Sequence, residues 1–169
     1  MPRCASRVSG PKSRKINADH RTQFLKISST LLVIDQLTKW LVTRMMVPGQ
    51  SIPLIPSVMH LTYVQNTGAA FGLMKGRQLI FIVMSLLVIG WLGWDMVTRP
   101  PVARRPYWGA TLIMAGAAGN LIDRLRFGYV TDFLDVRVWP VFNVGDSAIT
   151  IGVLLLIWHA VQPGTKPER

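Results

Sequence analysis

The chain has 169 residues, a formal charge of +11, half its residues apolar and a single cysteine. Charged residues make up only 16%, against roughly 25% in an ordinary soluble domain, so the apolar mass must face lipid or a very large core. Cys4 stands alone, which excludes a disulfide framework and a thiolate metal site, and with one glutamate, Glu168, the acidic chemistry falls to seven aspartates.

Residues 1–23 read as a basic arm, expected to be disordered and cytoplasmic. Seven basic residues lie in the first 26, against Asp19 alone, with no apolar periodicity. A nucleic-acid-binding tail has a similar charge, but no aromatic is interleaved before Phe24 and apolar segments of membrane length follow, so no nucleic-acid partner is expected. Nor does the start read as a cleavable signal peptide, because Asp35 and Lys39 interrupt the first apolar run.

Four apolar segments follow, at residues 24–47, 78–94, 106–122 and 144–161. With its flanks each reaches the roughly 20 residues of a spanning helix, and Trp91, Trp94, Trp108, Trp139 and Trp158 fall near segment ends, as interfacial aromatics do. The expected architecture is an all-α integral membrane protein with four transmembrane helices. The membrane domain covers residues 24–161, followed by a cytoplasmic tail at 162–169. Twelve basic residues fall in the first 26 residues, the 99–105 loop and the tail, which places both termini in the cytoplasm and both longer loops outside. In the first outer loop, Pro48, Gly49, Pro53 and Pro56 break helix, and residues 59–65 alternate with the period of a strand. A small β-sheet on the outer face is expected there.

Charged residues in or beside these segments carry the chemical signal. Asp35, Lys39, Asp123, Arg124 and Asp146 would each cost about 2.5–3.5 kcal/mol facing lipid at mid-membrane. Some must sit at helix ends and the rest must point inward and pair. Asp35 and Lys39 are four apart, the spacing of a helical ion pair, and a structural pair is preferred over a Lys39 general base acting on Ser147. Asp132 and Asp146 flank one outer loop, so they share a membrane face. Two carboxyls sharing a site tend to hold one proton between them, the requirement for activating water and protonating a leaving amine. The plain alternatives are an N-cap role for Asp146 and solvated loop acids at Asp132 and Asp135, and spacing alone favours them. The run Ala115, Gly116, Ala117, Ala118, Gly119 suits close helix packing. His20, His60 and His159 lack metal-ligand spacing, so no metal is expected. A four-helix transporter using Asp35, Lys39, Asp123 and Arg124 as an ion path is the rival reading, but its site would sit near the midplane, whereas these acids cluster near the outer ends.

Five blocks in order resemble the lipoprotein signal peptidases. They are Asp35-Gln36-Leu37-Thr38-Lys39; Asn66-Thr67-Gly68-Ala69-Ala70-Phe71; the stretch from Gly116 through Gly119, Asn120 and Asp123 to Arg124; Val130-Thr131-Asp132-Phe133; and Phe142-Asn143-Val144-Gly145-Asp146-Ser147. Ala115, where glycine is common, and Gly145, where alanine is common, depart from the pattern. The resemblance implies a membrane aspartic endopeptidase of the bacterial inner membrane with its site at the periplasmic face. Its substrates would be diacylglyceryl-modified prolipoproteins, cut before the lipidated cysteine. It implies Asp132 and Asp146 as the catalytic pair and Asn66, Gly68, Asn120, Arg124 and Asn143 as residues that position substrate or the pair. Asp35, Lys39 and Asp123 are then structural. No cofactor is implied, membrane lipids are partners, and the enzyme is expected to work as a monomer.

Overall fold

The computed structural model describes residues 11–68, 78–98 and 104–162. Four helices, α1 (Pro11–Met45), α2 (Gln78–Thr98), α3 (Arg104–Phe127) and α4 (Val144–Val161), carry three strands, β1 (Ser51–Ile55), β2 (Met59–Asn66) and β3 (Val130–Asp135), in one antiparallel sheet of order β1-β2-β3. The expected 99–105 loop lies mostly outside the described residues, as do Ala69, Ala70, Phe71 and the tail beyond Gln162.

Three expectations change. Residues 11–23 of the expected disordered arm are helical and continuous with the rest of α1, while residues 1–10 lie outside the described residues; no glycine or further proline interrupts the Lys- and Arg-rich stretch after Pro11. Residues 51–55, read only as part of a helix-breaking loop, form β1, an edge strand that tolerates Pro53. Residues 130–135, read as loop, form β3, which is buried along nearly its whole length. Asp132 and Asp135 are therefore not solvated loop acids, being 1% and 6% exposed. Asp135 accepts from the Thr62 hydroxyl at 2.8 Å and pairs with Arg137 at 3.1 Å.

The molecule is polar inside and apolar outside. Asp35, Lys39, Thr111, Asn120, Asp123 and Asn143 are buried, while Leu37, Trp40, Leu79, Leu87, Trp91, Leu154 and Trp158 are exposed. Water would penalise that arrangement and lipid favours it. Two helices, at Gln78–Met96 and Val144–Val161, are long and apolar enough to cross a membrane by composition. The polar residues that lower the hydropathy of α1 and α3 include Asp35, Lys39, Asn120 and Asp123, which point into the bundle.

Two features fix the helix ends beneath the sheet. Helices α3 and α4 make the most extensive helix contact and approach through glycine, a Cβ on Gly116 colliding with the Gly145 carbonyl oxygen; α1 approaches α3 in the same way, a Cβ on Gly119 colliding with the Asp35 carboxylate. Val42 of α1 and Met46, just past its end, pack with Tyr63 of β2 and Phe133 of β3 in one apolar cluster. That cluster seats the sheet on the end of α1 and holds β3 over the bundle.

Candidate active site

Helix α4 starts with a reciprocal cap. Asn143, not Asp146, is the N-cap: its Oδ1 accepts the Asp146 backbone N–H at 2.9 Å, and the Asp146 carboxylate accepts the Asn143 backbone N–H at 3.2 Å. This capping box is a local consequence of Asn-x-x-Asp ahead of an apolar run. It also aims the Asp146 side chain out of the first turn of α4.

Asp132 arrives from the sheet. Val64 faces Asp132 and Asn66 faces Val130 across the β2–β3 ladder, so Asn66 and Asp132 are diagonal neighbours on one face. The Asn66 amide donates to Asp132 Oδ2 at 2.8 Å, and the Asn143 amide donates to Asp132 Oδ1 at 2.7 Å. Asn120 of α3 donates to Asp146 Oδ1 at 2.8 Å. Each of the four carboxylate oxygens thus accepts an N–H, from Asn66, Asn120 or the side chain and backbone of Asn143.

The orientation of the three asparagines is dictated by other donors. The Gly68 backbone N–H occupies Asn66 Oδ1 at 3.0 Å, the Asp146 backbone N–H occupies Asn143 Oδ1, and the Lys39 ammonium occupies Asn120 Oδ1 at 2.8 Å. With each oxygen turned to a donor, each NH2 is left facing a carboxylate. Burial pushes the Asp132 carboxyl up to about 7, the adjacent Asp146 carboxylate adds to the rise, and the Asn66 and Asn143 donors and the Lys39 charge oppose it.

Below this layer the expected Asp35–Lys39 pair is a triad. Lys39 Nζ lies 2.9 Å from Asp35 and 3.2 Å from Asp123, all three buried. Asp35 also accepts the Gly145 backbone N–H at 2.8 Å, and Asp123 accepts that of Thr131 at 3.0 Å. One triad therefore ties α1 to α3, the start of α4 and β3. The Ser147 hydroxyl donates to the Asn143 carbonyl at 3.0 Å, and Lys39 is spent on Asp35, Asp123 and Asn120. A Lys39–Ser147 nucleophile pair has no support in this geometry.

Asp132 and Asp146 open onto a cleft of about 320 Å³, lined also by Asn66, Gly68, Arg124 and Phe81. The Arg124 guanidinium lies 5.1 Å from the Phe81 ring centroid, and its backbone carbonyl accepts from Gln78 at 2.9 Å. Sequence reasoning missed Gln36, which donates to Asp123 at 3.1 Å and to the Gly119 carbonyl at 3.2 Å. It also missed the apolar wall of Trp139, Pro140, Phe142 and Ile149. Gln36 stands beside Asp35 in the first block and could have been found there; the wall has the same composition as lipid-facing helix and carries no signal.

Paired carboxylates, Asp132 buried and Asp146 partly so, beneath an open, partly apolar cleft, at one end of a helical bundle with an apolar exterior, define a membrane hydrolase of the aspartic kind. Residues 27–162 match the family model described as signal peptidase (SPase) II. The chain is 44% identical over 146 residues to the lipoprotein signal peptidase of Moorella thermoacetica, spanning 86% of this chain and 97% of that protein. It is 48% identical over 140 residues to that of Halothermothrix orenii, spanning 78% and 90%. A bacterial membrane enzyme solved by the in meso method at 2.3 Å superimposes with a TM-score of 0.80 at 29% identity, covering 88% of this chain and 94% of that one. The chain belongs to the signal peptidase II family.

Proposed function

We propose that the protein is the endopeptidase that removes signal peptides from diacylglyceryl-modified prolipoproteins, cutting before the lipidated cysteine, with Asp132 and Asp146 as its catalytic pair. The observation that carries this reading is the double clamp on both carboxylates beneath an open cleft. With burial and a neighbouring charge both favouring a proton on Asp132, the pair holds one proton near neutrality. A water between them gives a proton to the ionised carboxylate as its oxygen attacks the scissile carbonyl carbon, and the protonated carboxyl donates to the carbonyl oxygen. Collapse of the tetrahedral intermediate breaks the C–N bond, and the leaving amine takes the proton held by the pair.

Four helices cross the bacterial inner membrane in this reading, with both termini cytoplasmic and the sheet at the periplasmic face. The basic residues of the arm and tail and the exposed apolar faces of α1, α2 and α4 support it. Asn66, Asn120 and Asn143 position the pair, Gly68 and Arg124 border the substrate path, and one copy of the chain is sufficient. Purified protein incubated with a diacylglyceryl-modified precursor should release the signal peptide and leave an unmodified precursor whole. An intact modified precursor would overturn the reading.

A further inference from the structure

Lys39 is too deep to meet substrate, being 3% exposed, and an ion pair four residues apart on α1 would need only Asp35. Yet its ammonium makes three contacts on three sides, to Asp35 at 2.9 Å, Asp123 at 3.2 Å and Asn120 Oδ1 at 2.8 Å. An ammonium only donates, so the atom of Asn120 that faces it must be the oxygen. That oxygen also accepts from the Asn143 amide at 3.1 Å, whose nitrogen reaches Asp132 as well.

We propose that Lys39 is a positioning residue for the reaction, setting the Asn120 amide so that its NH2 faces Asp146 and its oxygen holds Asn143 against Asp132. The proposal rests on the aspartic reading above. Its physical core is a competition for one NH2 group. Lys39 bridges Asn120 Oδ1 to the carboxylates of Asp35 and Asp123. Without the ammonium, those two carboxylates keep only the Gln36 amide and the Gly145 and Thr131 backbone donors, and an amide turned by half a revolution would direct its N–H groups toward their uncompensated charge. Its oxygen would then face the Asp146 carboxylate, acceptor against acceptor, and the Asn143 nitrogen would lose one of its two acceptors, keeping Asp132 alone. Lys39 prevents this twice, by donating to the oxygen and by neutralising the carboxylates that would draw the nitrogen away.

The test removes the charges without stranding any. In the variant Asp35→Asn/Lys39→Met/Asp123→Asn, the new amide oxygens can still accept from the Gly145 and Thr131 backbones. With the purified protein and a diacylglyceryl-modified precursor, kcat should fall about ten- to a hundredfold while KM stays within about twofold, because the cleft lining is untouched. In an Asn120→Ala background the same three changes should cost less than about twofold more, since the group through which Lys39 acts is already gone. A glutamine at position 39 in the same triple restores a donor and should recover part of kcat; if the methionine version does not fold, the glutamine version carries the same cycle. A folded triple variant with wild-type kcat, or losses that multiply in the Asn120→Ala background, would overturn the proposal. Asp132→Asn is assayed alongside: turnover there would defeat the aspartic reading instead, whereas a dead Asp132→Asn with an unaffected triple variant defeats only the role of Lys39.

Discussion

The side-chain oxygen of Asn143 accepts the backbone N–H of Asp146 at 2.9 Å, and this helix cap decides that the Asn143 nitrogen faces Asp132. Folding of α4 and preparation of the carboxylates are thus one event. Serine caps helices about as well as asparagine but has no amide to reach Asp132. Asn143→Ser should therefore keep the cap, cost about 1–3 kcal/mol for the buried acceptors on Asp132 and Asn120 that lose the amide, and lower turnover at least about tenfold. Equal turnover in a stable variant would show that the Asn143–Asp132 contact is incidental.

Asp132→Asn and Asp146→Asn should each abolish cleavage, and the double variant should be no worse than either single one, because paired groups act as a unit. Ser147→Ala should keep its activity, the hydroxyl being committed to the Asn143 carbonyl. Precursor cleavage followed by gel shift decides both points.

The Asp132 carboxyl also makes stability depend on pH. Its value rises from 3.8 to about 7 in the folded protein, so between those limits the folded state holds more proton than the unfolded one. Stability must then fall as pH rises across that window, by up to about 1.4 kcal/mol per unit. Melting curves of wild type should drop between about pH 4 and 7, and those of Asp132→Asn should be flatter. Parallel curves would place the proton elsewhere.

Activity should decline at both pH extremes, since acid and base roles need one proton shared by the pair. Chelators should leave turnover unchanged. Every oxygen of Asp132 and Asp146 faces an N–H, and a divalent cation would have those same hydrogens directed at it. Inactivation by a chelator, reversed by zinc, would contradict this.

The sequence suggests that replacing Asp35 and Lys39 together with leucine and methionine should recover the fold lost by either single change. The third member of the triad alters that expectation. Removing one partner should cost roughly 3–5 kcal/mol, and the double variant should stay destabilised because Asp123 is left without its ammonium. Gly119→Ala should also destabilise, by about 1–3 kcal/mol, as its Cβ would strike the Asp35 carboxylate. Thermal unfolding in detergent checks both.

Reporters fused after Glu168 or within residues 99–105 should mark the cytoplasm, and one near Gln50 the outside. The reverse pattern would put Asp132 and Asp146 on the cytoplasmic side and sever them from exported precursors.

How much of this was legible in the residues varies with the physics behind each element. Helices α2 and α4 were readable to within a few residues because uncharged apolar runs of membrane length have few other uses. The start of α1 was not, since Lys and Arg serve a solvated tail and a helix equally well. Strand β3 hid because Val130, Thr131, Asp132 and Phe133 are all buried, leaving no alternation to detect. The five motif blocks located Asp132 and Asp146 and the asparagines. Which end of each amide faces a carboxylate was beyond reach, because Gly68, Asp146 and Lys39 decide it from three different elements.

The length of α1 has a mechanical consequence. From Leu25, well exposed, to Met45 the helix runs 21 residues, about 31 Å at 1.5 Å per residue, the thickness of the hydrocarbon layer. The preceding turns, from Pro11, add roughly 21 Å more. Set upright in a bilayer, such a helix would carry Lys26 at the edge of that layer, within the roughly 8 Å reach of headgroup charge at physiological salt.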